Sequence, residues 1–141
     1  IRVRRALAYA NNQGLHIRMV YNESIPFVNS PYGETFECQQ SGYLEYDAET
    51  AKKLIADYGE PVEIELLHTN TSRGKQTGEL LQQLYKEIGV KLNPVPLGTA
   101  PHVMRVVKKE YQLATWRIPS SLDHGPQMYL SYCSKSPSNF T

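Results

Sequence analysis

The spacing of apolar positions changes period partway along the chain, and each period names its element. From the second residue onward, "VRRALAYA" sets Val3, Leu7 and Ala10 on one face with Arg4 and Arg5 turned away, which predicts a helix. Asn12 is placed to cap a second helix over residues 13 to 21, with Leu15, Met19 and Val20 inward, although Gly14 weakens it. The Pro, Gly, Asn and Ser of "NESIPFVNSPYGETFECQQSGYLEY" predict a long connection. A loop that long in a compact domain is functional or lies against a partner surface. "DAETAKKLIADYG" then reads as a helix with Asp47 as N-cap, Ala51, Leu54, Ile55 and Tyr58 on one face, and Gly59 as its stop.

Beyond Pro61 the period becomes two. Val62, Ile64 and Leu66 alternate with Glu63 and Glu65 as a strand requires, and "TNTS" offers polar caps to a helix over residues 73 to 88 that ends at Gly89. Its Leu81, Leu84, Tyr85 and Ile88 form a stripe whose burial is worth about 1.5 to 3 kcal/mol per side chain, the expected anchor of the core. "VKLNPVPL" is a second strand, with Pro94 and Pro96 pointing to an edge position or an early end. Thr99, Ala100 and Pro101 begin a helix on Val103, Val106 and Val107, and "YQLATWRI", residues 111 to 118, is the third strand.

The order βαβαβ predicts an α/β fold: a parallel or mixed sheet flanked by helices, with right-handed crossovers and all three strand C-termini on one edge. That edge collects His68 to Asn70, Leu97 to Thr99 and Trp116 to Asp123, where open α/β sheets bind ligands. Asn70, Thr99, Trp116, Arg117, Ser120 and Asp123 are accordingly the candidate ligand-binding residues.

Bulk composition adds limits. The 141 residues suit a single domain, the apolar and charged fractions of 40% and 21% are those of a globular protein, and a formal charge of +1 exerts no long-range pull on nucleic acid or anionic membrane. No run approaches the roughly 18 apolar residues of a membrane span, and "IRVRRALAYANN" lacks the plan of a signal peptide. Cys38 and Cys133 are compatible with one disulfide or two free thiols. A helix running from the first residues and a turn-rich end, "SKSPSNFT", predict that both ends continue in a longer chain.

Three motifs invite a chemical reading. "TNTSRGKQTG" follows a strand and opens a helix like a phosphate loop, but the upstream glycine is missing and Gln76 stands where a magnesium-binding Ser or Thr belongs; Arg73 and Lys75 read as a solvated first turn. Ser120, Asp123 and His124 include the residue types of a hydrolase, but no Gly-x-Ser-x-Gly elbow surrounds the serine and adjacent Asp and His cannot readily orient each other, so a turn is expected. His16, His68, His102 and His124 fall on four elements without metal-ligand spacing, and neither a metal nor another cofactor is expected. Trp116 has two readings: a core side chain of the last strand, or a platform at the sheet edge for a ligand or a second lobe.

Taken in order, "VRRALAYA", "YDAETAKKLIADYG", "ELLQQLYKEIGVKLNPVPL", "EYQLATWRI" and "YLSYCSKSPSNFT" resemble the second lobe of the extracytoplasmic solute-binding proteins of peptide-type ABC transporters, the family 5 class of dipeptide, oligopeptide and nickel binders. The resemblance covers nearly the whole chain. It implies a periplasmic-binding-protein-like type II lobe, with residues 1–141 a single-domain piece of the second lobe of a larger two-lobe receptor. That receptor would close on a peptide or other small solute and pass it to the membrane permease. It also implies an extracytoplasmic place, in the periplasm or at the membrane on a lipid anchor, and no enzymatic role. In the peptide binders an Asp shortly after this Trp pairs with the ligand's α-amino group. Here Arg117, Ile118 and Pro119 follow Trp116 and the first acid is Asp123, so Asp123 takes that role from further along the loop or Arg117 meets an anionic group instead. The remaining readings are a non-transport α/β interaction domain and a hydrolase on Ser120, Asp123 and His124. A sheet edge left unpaired in the isolated chain is expected to pair with a second copy.

Overall fold

The computed structural model describes residues 1–28, 43–116, 124–136 and 139. Its elements are α1 (Arg2–Ala10), α2 (Gln13–Tyr21), α3 (Ala48–Ala56), β1 (Val62–Thr69), α4 (Ser72–Glu87), β2 (Val90–Leu97), α5 (Thr99–Val107), β3 (Leu113–Ala114) and α6 (His124–Tyr132). Three helix starts are built on the polar residues that mark them in the sequence. Asn12 accepts from the Leu15 amide at 2.9 Å, Asp47 from that of Thr50 at 2.9 Å and Thr71 from that of Gly74 at 3.0 Å. Each cap satisfies an amide that the first helical turn leaves without an internal partner.

The sheet is parallel, in the order β2-β1-β3. β1 and β2 run in register from Val62 opposite Val90 to Thr69 opposite Leu97, and the Asn70 amide continues the ladder to the Leu97 carbonyl at 2.7 Å. Gly89, at φ 83°, makes the left-handed turn that brings the chain from α4 straight into β2. The proline-bearing β2 lies on an edge of this sheet, where a missing N–H is tolerated.

Strands alternate their side chains, and the alternation assigns the two crossover helices to opposite faces. On one face His68 abuts α4 so closely that a Cβ added at Gly78 would lie 3.1 Å from its ring. On the other, Glu65 accepts from the Arg105 guanidinium of α5 at 2.8 Å. Two right-handed crossovers running in opposite directions, from β1 out to β2 and from β2 back past β1 to β3, give this arrangement, and they open a crevice where the strand order reverses, at the C-terminal ends of β1 and β3.

The core lies on the α4 side. Leu80, Leu84, Tyr85 and Ile88 of α4 pack with Leu66, Val90 and Leu92 of the sheet, and with Ala6, Leu7 and Ala10 of α1 and Ala51 of α3. Fully buried alanines at positions 6 and 51 leave room for α1 and α3 to approach closely.

Several expectations need correction. The third strand is two residues long: Gln112 turns its side chain into the ladder, its Oε1 accepting from the Glu65 amide at 2.7 Å, and after Ala114 one further bond, from the Thr115 amide to the Leu67 carbonyl at 2.9 Å, closes the pairing. Ile118 and Arg117 lie outside the described residues. Met19 is 60% exposed because α2 faces α4 through His16 and Val20, and Tyr58 is 44% exposed because α3 ends at Ala56, before it. Leu80, not Leu81, is buried alongside Leu84 in α4. In α5, His102 and Val106 are buried while Val103 and Val107 face outward. Helix α6 was not foreseen; its Pro126 sits in the first turn, where a missing amide proton costs no intrahelical bond. The long connection carries no helix or strand in residues 22–28 and 43–47.

Candidate ligand-binding site

The crevice at the sheet's C-terminal edge is an open cleft of about 620 Å³. Its floor is the end of the sheet, with Leu66 and Thr69 from β1 and Leu113, Ala114, Thr115 and Trp116 from β3 and the residues after it. One wall comes from α4, whose Arg73, Gly74, Thr77, Leu81 and Tyr85 face it. Thr99, His102 and Val103 of α5 form the opposite wall, and Asn11, His16 and Tyr21 close one end.

Gly74 determines how near α4 stands to β1. A Cβ at that position would lie 2.0 Å from the Thr69 carbonyl oxygen, so only glycine permits the contact. The neighbouring hydroxyls of Thr69 and Thr71 are 3.1 Å apart, with Thr71 also capping the helix. The same first turn projects Arg73 over the ring of Tyr21, 5.3 Å from its centroid, a cation–π arrangement. Behind it, His16 Nε2 is hydrogen-bonded to Thr77 Oγ1 at 3.1 Å, and its ring lies 5.7 Å from that of Tyr21. Burial lowers the His16 pKa and so favours the neutral imidazole.

On the opposite wall, the His102 ring is stacked on the Trp116 indole, 6.1 Å between centroids and 22° between planes. His102 is 3% exposed, and its Nε2 is buried without a hydrogen-bond partner among the described residues. Trp116 is 45% exposed. That exposure is not what a core side chain of the last strand would have.

Of the residues singled out from the sequence, Trp116 and Thr99 line the cleft. Asn70 is exposed at the same edge without joining the lining. Arg117, Ser120 and Asp123 lie outside the described residues, as does the side chain of His124, and with them the hydrolase reading; Cys38 does too, while Cys133 is half-buried. Sequence reasoning missed His16, Tyr21, Arg73 and His102. Arg73 alone had a local signal, since it follows a capped strand-to-helix turn at the sheet edge; the other three come to it from α2 and α5. Among the described residues no three His, Cys, Asp or Glu side chains gather as a metal site.

A parallel α/β lobe with helices on both faces and a ligand-sized cleft at its switch point has the architecture of the type II periplasmic-binding-protein lobes. The chain belongs to the family 5 bacterial extracellular solute-binding proteins, matching the family described as "Bacterial extracellular solute-binding proteins, family 5 Middle" over residues 1–140. It is 30% identical over 141 residues to a Haemophilus influenzae protein named heme-binding protein A, a match that takes in 93% of this chain and 25% of that relative. The chain thus spans about a quarter of that relative's length. Among solved structures it resembles the A. tumefaciens R10 binding protein MoaA in complex with mannopinic acid (TM-score 0.85, 22% identity, 99% of this chain and 30% of the other). It also resembles the ABC transporter substrate-binding protein CtaP of Listeria monocytogenes (TM-score 0.81, 22% identity, 99% and 30%). A third is a dipeptide-binding protein of Pseudoalteromonas sp. SM9913 in complex with Met-Leu (TM-score 0.72, 24% identity, 80% and 24%). The family is one of extracellular binding proteins, and among the described residues no helix is long and apolar enough to cross a membrane.

Proposed function

We propose that residues 1–141 are part of the second lobe of an ABC-transporter substrate-binding protein, which captures a peptide or peptide-like solute between two lobes and delivers it to a membrane permease. The observation that carries this reading is the one-sided cleft: a half-exposed Trp116 stacked on His102, at the switch point of a parallel sheet, with hydroxyls and one cation around it. An aromatic surface with a few converging polar groups is what small-solute sites use, and one wall buries too little of a ligand to hold it alone. The exposed apolar side chains of Val103, Met104 and Val107 on α5 further support a second lobe over a free-standing interaction domain.

In this reading the protein binds without turning its solute over, works outside the cytoplasmic membrane, and uses Arg117 and Asp123 to orient the solute that Trp116 covers, with Asn70, Thr99 and Ser120 at the rim. The test is calorimetry of the full-length protein with di- to pentapeptides. Trp116→Ala should weaken binding at least tenfold while leaving the fold intact by circular dichroism; unchanged affinity would remove Trp116 from the site. The relative's name makes heme the second solute to try. A Soret shift on adding hemin, without peptide binding, would replace the peptide reading.

A further inference from the structure

Both rings of the stack between His102 and Trp116 are referred to the same strand. On the tryptophan side, the Thr115 amide donates to the Leu67 carbonyl of β1 at 2.9 Å, so the main chain is held to the sheet up to the residue before the indole. On the histidine side, α5 is tied to β1 at Glu65, which accepts from the Arg105 guanidinium at 2.8 Å, and Val106, one turn beyond His102, is buried. The imidazole is 3% exposed and has little room to turn, whereas the indole is 45% exposed and lies 22° from the imidazole plane. The buried Nε2 makes no hydrogen bond with a described residue, so what His102 offers is the flat face of its ring.

We infer that His102 is the positioning residue of the solute platform: its buried imidazole is the seat that fixes the orientation of the Trp116 indole, so that one defined face meets the cleft before any solute arrives. The inference rests on the solute-binding reading above and deepens it. A half-exposed side chain keeps several rotamers open, and ordering it at the moment of binding opposes affinity; one ordered beforehand opposes it less. Aromatic planes in offset contact restrict each other's tilt, which an aliphatic side chain of similar bulk does not. His102 thus acts on the solute through Trp116 and needs no contact of its own.

The experiment compares two variants of the full-length protein: His102→Phe, which keeps a flat ring, and His102→Leu, which fills much of the same space without one. His102→Met replaces the leucine variant should circular dichroism show that it does not fold. Fluorine NMR of protein labelled with 5-fluorotryptophan follows Trp116 without solute, its resonance assigned by its loss in Trp116→Phe. Native mass spectrometry follows retention of di- to pentapeptides from an equimolar mixture. The wild type and His102→Phe should each give one sharp Trp116 resonance and retain peptides equally within about twofold, whereas His102→Leu should broaden or split the resonance and retain about fivefold less. A wild-type resonance already broad or split, a leucine variant with an unchanged resonance or undiminished retention, or a folded phenylalanine variant that behaves as the leucine one does would each overturn the inference while leaving the peptide reading standing. Retention of no peptide by the wild type would overturn the peptide reading, and the resonances would then decide the inference alone.

Discussion

His102 and Trp116 stack with their planes 22° apart, so the indole that faces the cleft rests on an imidazole that is itself buried. A buried nitrogen without a partner costs about 1 to 3 kcal/mol relative to one that is satisfied or absent. His102→Phe keeps a ring beneath Trp116 and removes the polar atom. Urea denaturation of the chain should therefore show unchanged or increased stability, by up to about 3 kcal/mol. A loss above about 1 kcal/mol would mean that Nε2 has a partner in the folded protein.

At Gly74, helix α4 stands too close to β1 for any side chain. Gly74→Ala must push a methyl group against the Thr69 carbonyl oxygen, and backbone on both sides cannot yield as a flexible side chain would. We expect a loss of at least about 2 kcal/mol, at the upper end of overpacking penalties. A chain that melts as the parent does would show that α4 can slide away from β1, and the position of Arg73 would no longer be fixed.

The α4 stripe separates core from cleft. Leu84 is buried among Leu66, Val90 and Leu92, so Leu84→Ala should cost about 2 to 5 kcal/mol. Leu81 is half-buried and lines the cleft, and Leu81→Ala should cost clearly less. Equal losses in chemical denaturation would contradict this division of the helix.

Burial pushes the Tyr85 phenol up to about 12, from 10.0 for a free side chain. The folded state thus holds its proton to higher pH than the unfolded state. The stability this contributes is complete below about pH 10 and is lost as pH rises toward about 12, by at most about 3 kcal/mol. Tyr85→Phe has no such proton, so the stability difference between the two proteins should be flat below pH 10 and move against the tyrosine above it. A difference that stays constant to pH 12 would mean that the phenol is hydrated.

What the sequence makes legible is what local chemistry encodes. Asn12, Asp47 and Thr71 announce helix starts because capping involves residues three apart, and the period of two at Val62, Ile64 and Leu66 marks a strand whatever it pairs with. The parallel order follows from βαβαβ and the handedness of crossovers. The length of β3 does not, since "YQLATWRI" has strand character throughout while the Gln112 side chain takes the place of backbone pairing ahead of Leu113, a choice made only when β1 lies beside it. α6 escaped because Gly125 and Pro126 read as a turn until helical residues follow. In the cleft, Trp116 and Thr99 were reachable from the edge rule, whereas His16, Tyr21 and His102 meet it through the packing of α2 and α5.

The central claim is that this chain supplies one wall of a solute cleft with Trp116 as its platform. A crystal structure of the full-length protein with the solute it retains on purification tests it most directly. The account predicts solute density in van der Waals contact with the exposed face of Trp116. Solute bound elsewhere, with the Trp116 indole covered by protein, would contradict it.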